Sequence, residues 1–70
     1  MLTYEPLRLL MVKRNLDREE LVRLTGITRP TVGKLFSDKL VALDVLDKVC
    51  VALDVELHDV VRRKKEQEDI

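Results

Sequence analysis

The feature that constrains this chain most is a glycine placed between two short amphipathic segments. Asp17 is followed three residues later by Glu20, which is the spacing of a capping box, so a helix is predicted to begin there. Gly26 suits the left-handed backbone conformation that ends a helix, and it leaves room for only about two helical turns. Pro30 is tolerated in the first turn of the helix that follows. The sequence therefore predicts two short helices joined by a sharp turn, the second over about residues 29–36.

Apolar residues at spacings of three and four predict three further helices. These are a first helix at about residues 5–14, a fourth over 43–53, and a fifth that runs from 57 to about 65 and ends in cations. The pentapeptide VALDV occurs twice, but its acidic residues fall off the helical stripe and no hairpin turn separates the copies, which favours helix over a strand pair. The predicted fold class is all-α, a compact five-helix domain over residues 1–65 with a frayed tail at 66–70.

Composition argues against several other classes of protein. Thirteen Lys and Arg against thirteen Asp and Glu exclude a polycationic arm or an acidic disordered tail. A single cysteine and the absence of a long apolar run predict a cytoplasmic protein without a disulfide or a membrane span. One histidine and one cysteine cannot form a four-ligand zinc site, and no nucleophile has an evident general base. We therefore expect no enzyme and no cofactor or metal.

The charge is unevenly distributed although it sums to zero. Residues 1–40 hold eight basic and five acidic side chains, a balance of +3, and residues 41–70 hold five basic and eight acidic ones, a balance of −3. Residues 21–37, which include the second short helix, contain no carboxylate. Their cations are Arg23, Arg29 and Lys34. A polyanion is expected to prefer that segment.

Two short helices joined by a glycine turn are typical of the helix-turn-helix, whose second helix can enter the DNA major groove. From residue 7 to about 61, the chain also resembles the Cro and lambda-repressor-like (Xre-type) helix-turn-helix domains. The runs that carry this resemblance are Asp17-Arg18-Glu19-Glu20-Leu21-Val22, Leu24-Thr25-Gly26-Ile27 and Thr28-Arg29-Pro30-Thr31-Val32-Gly33-Lys34-Leu35-Phe36. Two positions depart from the family pattern. Val22 stands where alanine is usual, and Pro30 replaces a residue that often donates a hydrogen bond.

The resemblance implies which side chains contact DNA. The residue that opens helix two contacts or buttresses the DNA backbone, and the first turn of helix three faces the bases, as does a lysine one turn later. A serine after helix three corresponds to a phosphate-contacting position, and Lys39 is added because it lies nearby. The expected DNA-binding residues are Arg18, Thr28, Arg29, Pro30, Thr31, Lys34, Ser37 and Lys39. We expect Arg29 and Lys34 to emerge together with no acidic side chain beside them.

The predicted function is a sequence-specific regulator of transcription, a repressor, that places helix three in the major groove of double-stranded DNA. One domain gives one half-site of contacts, so a dimer on a palindromic operator at the nucleoid is expected. The homodimer contact is expected at Leu9 and Val12, helix five or the tail with Ile70, or to form only on DNA. The alternative is a protein-interaction module of the same fold, such as an antitoxin or antirepressor component, with weak non-specific DNA binding.

Overall fold

Four α-helices form most of the protein in this computed structural model, which describes residues 1–64. They are α1 (Glu5–Lys13), α2 (Arg18–Thr25), α3 (Arg29–Phe36) and α4 (Leu43–Leu53). The first four predicted helices are confirmed, because each has an observed counterpart with closely similar ends. Within the described residues, no helix is long and apolar enough to cross a membrane.

Local interactions define both ends of α2, including the turn that joins it to α3. The Asp17 carboxylate accepts a hydrogen bond of 2.8 Å from the Glu20 amide, and the Glu20 carboxylate accepts one of 3.3 Å from the Asp17 amide. These are the two arms of a capping box. Gly26 ends α2 with a φ of +76°, and its amide donates to the Val22 carbonyl at 2.8 Å. Ile27 is buried behind this turn, so the angle between α2 and α3 is held by backbone and core together.

The two glycines are expected to respond in opposite ways to replacement by alanine. Gly33 lies inside α3, and a Cβ atom added there would meet no atom within 4 Å, so G33A should stabilise the protein by about 0.5–1 kcal/mol through helix propensity. Gly26 has the left-handed φ that disfavours a side chain, so G26A should destabilise it by about 1–2 kcal/mol. Urea denaturation of both variants measures the difference, and equal shifts of the same sign would contradict this assignment.

The core lies where the four helices meet the C-terminal segment. Each of these five parts contributes one side chain with no exposed surface, and these side chains are Leu7, Leu21, Leu35, Val49 and Val60. Tyr4, just before α1, is also buried in this cluster. Because α3 contributes its inward face to the same cluster as the other helices, its outward face is held in a fixed orientation.

The predicted fifth helix is wrong. Leu57–Asp59 form a single 3₁₀ turn, and Arg62–Arg63 then form a short strand, β2, which pairs antiparallel with the N-terminal strand β1 (Leu2–Thr3). The Leu7 amide donates to the Val60 carbonyl at 3.2 Å, which ties the segment to the start of α1. The predicted count of five helices is therefore corrected to four in the described residues, in a mostly helical fold that also has a two-stranded sheet.

The physical reason for this correction is that hydrogen bonds to the N-terminal segment replace those of a helix. Val60 and Val61 are β-branched, which lowers helix propensity and suits extended backbone. Beyond the strand, the Lys64 amide donates to the Met1 carbonyl at 2.7 Å. The predicted helix end at residue 65 and the predicted frayed tail at 66–70, including Ile70, lie outside the described residues.

The end of α3 is joined to the start of the chain through Asp38. One carboxylate oxygen, Oδ1, accepts hydrogen bonds from the Tyr4 amide at 2.9 Å, the Thr3 hydroxyl at 3.0 Å and Arg8 Nη1 at 2.9 Å. Arg8 Nη1 also donates to the Leu35 carbonyl, on the last turn of α3, at 3.0 Å. The guanidinium of Arg8 and the two other donors lower the pKa of Asp38 to about 2. We call these four residues, Thr3, Tyr4, Arg8 and Asp38, the Asp38 cluster.

Candidate DNA-binding surface

Helix α3 has one buried face and one exposed face. Val32 and Leu35 are buried in the core, whereas Arg29, Pro30 and Lys34 are exposed. Pro30 and Lys34 are four residues apart and therefore lie on one side of the helix. The predicted reading face is thus accessible, and no other part of the described chain covers it.

Arg29 has an acidic neighbour, Glu19, although none was expected beside it. Its Nε lies 2.9 Å from both carboxylate oxygens of Glu19, and its Nη2 lies 2.6 Å from Glu19 Oε1. These hydrogen bonds lower the pKa of Glu19 and raise that of Arg29. The expectation that nothing acidic stands beside Arg29 and Lys34 is therefore wrong for Arg29. The Arg29 side chain nevertheless remains 75% exposed, so the ion pair lies on the surface that faces solvent.

Arg18 and Arg29 border the same shallow groove between the N-termini of α2 and α3. Val22 and Val32 contribute apolar surface to it, and Glu19 completes its lining. The Arg18 guanidinium stacks on the Phe36 ring, with its carbon 4.2 Å from the ring centroid, a cation–π contact that restricts its position. The helix-turn-helix thus places two arginines, each held by another side chain, at one edge of α3.

The hydroxyl groups expected to contact DNA are engaged within the protein. Thr28 occupies the N-cap position of α3, but its side chain makes no capping hydrogen bond and instead lies 3.0 Å from the Thr31 hydroxyl. The Ser37 hydroxyl donates to the Gly33 carbonyl at 2.9 Å. Each hydroxyl oxygen can still accept a further hydrogen bond, but Ser37 must rotate before it can donate to a phosphate.

Like Arg18, the cations Lys34 and Lys39 make no ion pair within the described part of the chain. Both are exposed. Lys39 follows the end of α3, and its amide donates to the Lys34 carbonyl at 3.0 Å, so the backbone folds back on the helix before it leaves. The backbone of Lys39 therefore lies close to the C-terminal end of α3.

Two residues of this surface, Glu19 and Phe36, are not among the DNA-binding residues expected from the sequence. The carboxylate-free segment began at residue 21, two positions after Glu19, and a window widened to include α2 would have contained that acidic residue. Its contact with Arg29 crosses ten positions of sequence and depends on the angle of the turn, so residue spacing alone does not reveal it. Phe36 is partly buried, and one face of its ring lies beneath Arg18.

The short helices α2 and α3, joined by a sharp turn and with one face of α3 exposed, define a helix-turn-helix protein. Residues 6–66 match the model of the Cro/C1-type helix-turn-helix DNA-binding domain, and the chain belongs to that family. The predicted resemblance is thereby confirmed. The structure is similar to the crystal structure of the transcriptional regulator VanUg, with a TM-score of 0.85 and 28% sequence identity over 93% of this chain and 87% of that one. Among curated proteins, no match to the sequence was found.

Proposed function

We propose that this protein is a sequence-specific transcriptional regulator that binds double-stranded DNA by placing α3 in the major groove and represses the genes beside its site. The observation that carries this proposal is the fixed exposed face of α3 in a Cro/C1-type fold. Val32 and Leu35 hold the helix against the core, while Pro30 and Lys34 face outward. A helix held in this way can present the same side chains to each base pair it meets.

The chemistry of the exposed side chains divides them into two groups. Arg29 and Lys34 can donate hydrogen bonds to guanine O6 and N7, and Pro30, which has no amide proton, can only make apolar contact, for example with a thymine methyl group. Thr28 and Thr31 lie in the same first turn and can reach base edges or sugars. The remaining three residues, Arg18, Ser37 and Lys39, flank α3 and are assigned to phosphates.

A symmetric dimer on a palindromic operator is the proposed binding form. One domain supplies one recognition helix, and half-sites about one helical turn apart match a two-fold axis. Leu9 and Val12 lie on α1 with 58% and 74% of their surface exposed, which leaves apolar area for a partner copy. The predicted fifth helix is not part of the proposed interface, because the described chain forms a 3₁₀ turn and a strand in its place. The proposed place of action is the nucleoid in the cytoplasm.

Selection from a pool of random duplex DNA tests the proposed function. We expect one enriched motif, a palindrome whose halves are about 10 base pairs apart, and tighter binding to it than to a scrambled duplex at every salt concentration. K48A serves as a control, because it removes an exposed cation that lies on α4 and not on α3. A chain that enriches no motif, binds both duplexes equally and forms a stoichiometric complex with another protein would contradict the proposal.

Substitution of Val12 is expected to separate dimer formation from DNA reading. V12E should weaken binding to the palindromic duplex by at least about tenfold, because loss of one buried valine contact is worth roughly 1.5–3 kcal/mol. Binding to a duplex with one half-site should not change. V51E is the matched control, because Val51 is also 74% exposed but lies on α4. If V51E weakens the palindrome complex and V12E does not, the contact through α1 is wrong.

A further inference from the structure

We propose that Glu19 is a positioning residue that orients Arg29 to read a guanine at one position of the operator. This inference rests on the proposed function, since it concerns how α3 reads its site. Glu19 is the second residue of α2 and Arg29 is the first residue of α3, so their contact spans the turn of the helix-turn-helix. Both backbones are fixed, one by the capping box and the other by the core, and the ion pair therefore has a defined direction.

The geometry of the ion pair determines which edge of the guanidinium remains available. Arg29 uses Nε and one N–H of Nη2 on the Glu19 carboxylate, which occupies the side edge of the group. A guanidinium has five N–H donors, so Nη1 and the second N–H of Nη2 remain on the terminal edge. These two nitrogens present parallel donors at the spacing that matches guanine O6 and N7. The contact with Glu19 thus leaves free the edge of the Arg29 guanidinium that is suited to guanine.

Holding the arginine in place also favours selectivity over indiscriminate phosphate binding. A free arginine on an exposed helix samples many rotamers and can turn toward any nearby phosphate, whereas one anchored to a carboxylate loses less freedom when it meets a base. The same carboxylate brings a negative charge toward the DNA backbone and weakens binding to every duplex. Glu19 is therefore expected to lower general affinity and to raise the preference for guanine, which are effects of opposite sign.

The substitution E19Q tests this expectation, because it keeps the shape of the side chain and removes its charge. Affinity is measured for the selected operator and for a duplex in which the guanine read by Arg29 is replaced by adenine. We expect E19Q to bind the adenine duplex about two- to fivefold more tightly, because one repulsive charge is gone. Its preference for guanine over adenine should fall by about tenfold. The control D47N removes a carboxylate from α4 and should change neither value.

A second variant shows whether Glu19 acts through Arg29. In an R29A background, E19Q should leave the base preference at that position unchanged, since no arginine remains to be oriented. If E19Q tightens binding to both duplexes by the same factor, Glu19 contributes only charge and the inference is wrong. If E19Q changes the base preference even with R29A present, Glu19 contacts a base itself, which also overturns it. A wild-type protein with no preferred duplex would instead contradict the proposed function, so the two failures are distinct.

Discussion

Removal of the Asp38 carboxylate is expected to take away most of the stability of the protein. Asp38 accepts three hydrogen bonds, and D38A would leave the Tyr4 amide and the partly buried guanidinium of Arg8 without that acceptor. Breaking such a cluster is expected to lower the free energy of unfolding by about 2–4 kcal/mol. Domains of this length are often stable by only about 3–5 kcal/mol. Urea denaturation followed by circular dichroism measures the loss.

The charge of Asp38 makes this stabilisation depend on pH. Its pKa is about 2 in the folded protein against an ordinary value of 3.8, so folding favours the ionised form. A lowered carboxyl pKa contributes stability that is present above pH 3.8 and is lost as the pH falls toward 2. The shift corresponds to about 2 kcal/mol. D38N, which keeps the side-chain volume and suits the φ of +58° at this position, should therefore be less stable than the wild type by about that amount at pH 7.

Unfolding curves of the wild type and D38N at several pH values between 2 and 7 check this dependence. The difference in unfolding free energy between the two proteins should shrink below pH 4 and nearly vanish near pH 2. D47N, a change at an exposed carboxylate on α4, serves as the control. A difference that stays constant down to pH 2 would show that the charge of Asp38 does not stabilise the fold.

The Asp38 cluster also illustrates which contacts can be predicted from sequence. Asp38 lies in the polar connection that follows α3. The partners of Asp38 lie 30 to 35 positions earlier in the chain, and no local spacing relates them. The capping box at Asp17 and the left-handed Gly26 were predicted, by contrast, because their causes lie within a few residues.

The C-terminal segment shows the opposite failure, in which a local pattern favours the wrong structure. Leu57, Val60 and Val61 have helical spacing, yet the chain forms one 3₁₀ turn and then pairs with Leu2–Thr3. A strand of two residues is too short to show alternation, so the pairing leaves no periodic signal. Four helices and the exposed face of α3 were therefore predictable, whereas the small sheet and the ion pair of Arg29 depend on tertiary contacts.

The largest expected effect on DNA binding comes from the contrast between Arg29 and Lys39. R29A should weaken binding to the operator by roughly 5- to 150-fold, the range for one bidentate arginine–guanine contact, and relax the base preference at one position. Binding to a scrambled duplex should change far less. Lys39 lies beyond the end of α3 and is assigned to a phosphate, so K39A should weaken both duplexes by a similar factor and reduce the slope of log affinity against log salt by about 1.

Fluorescence anisotropy with both duplexes at four or more salt concentrations separates these two roles. K48A controls for the loss of one positive charge outside the surface, since Lys48 is exposed on α4 and should leave the operator preference unchanged. The ratio of operator to scrambled affinity is the decisive quantity, because a phosphate contact cancels from it and a base contact does not. If R29A and K39A lower this ratio equally, or if neither lowers it, Arg29 does not read a base. The reading face would then have to lie elsewhere on α3, with Lys34 as the remaining exposed cation on that helix.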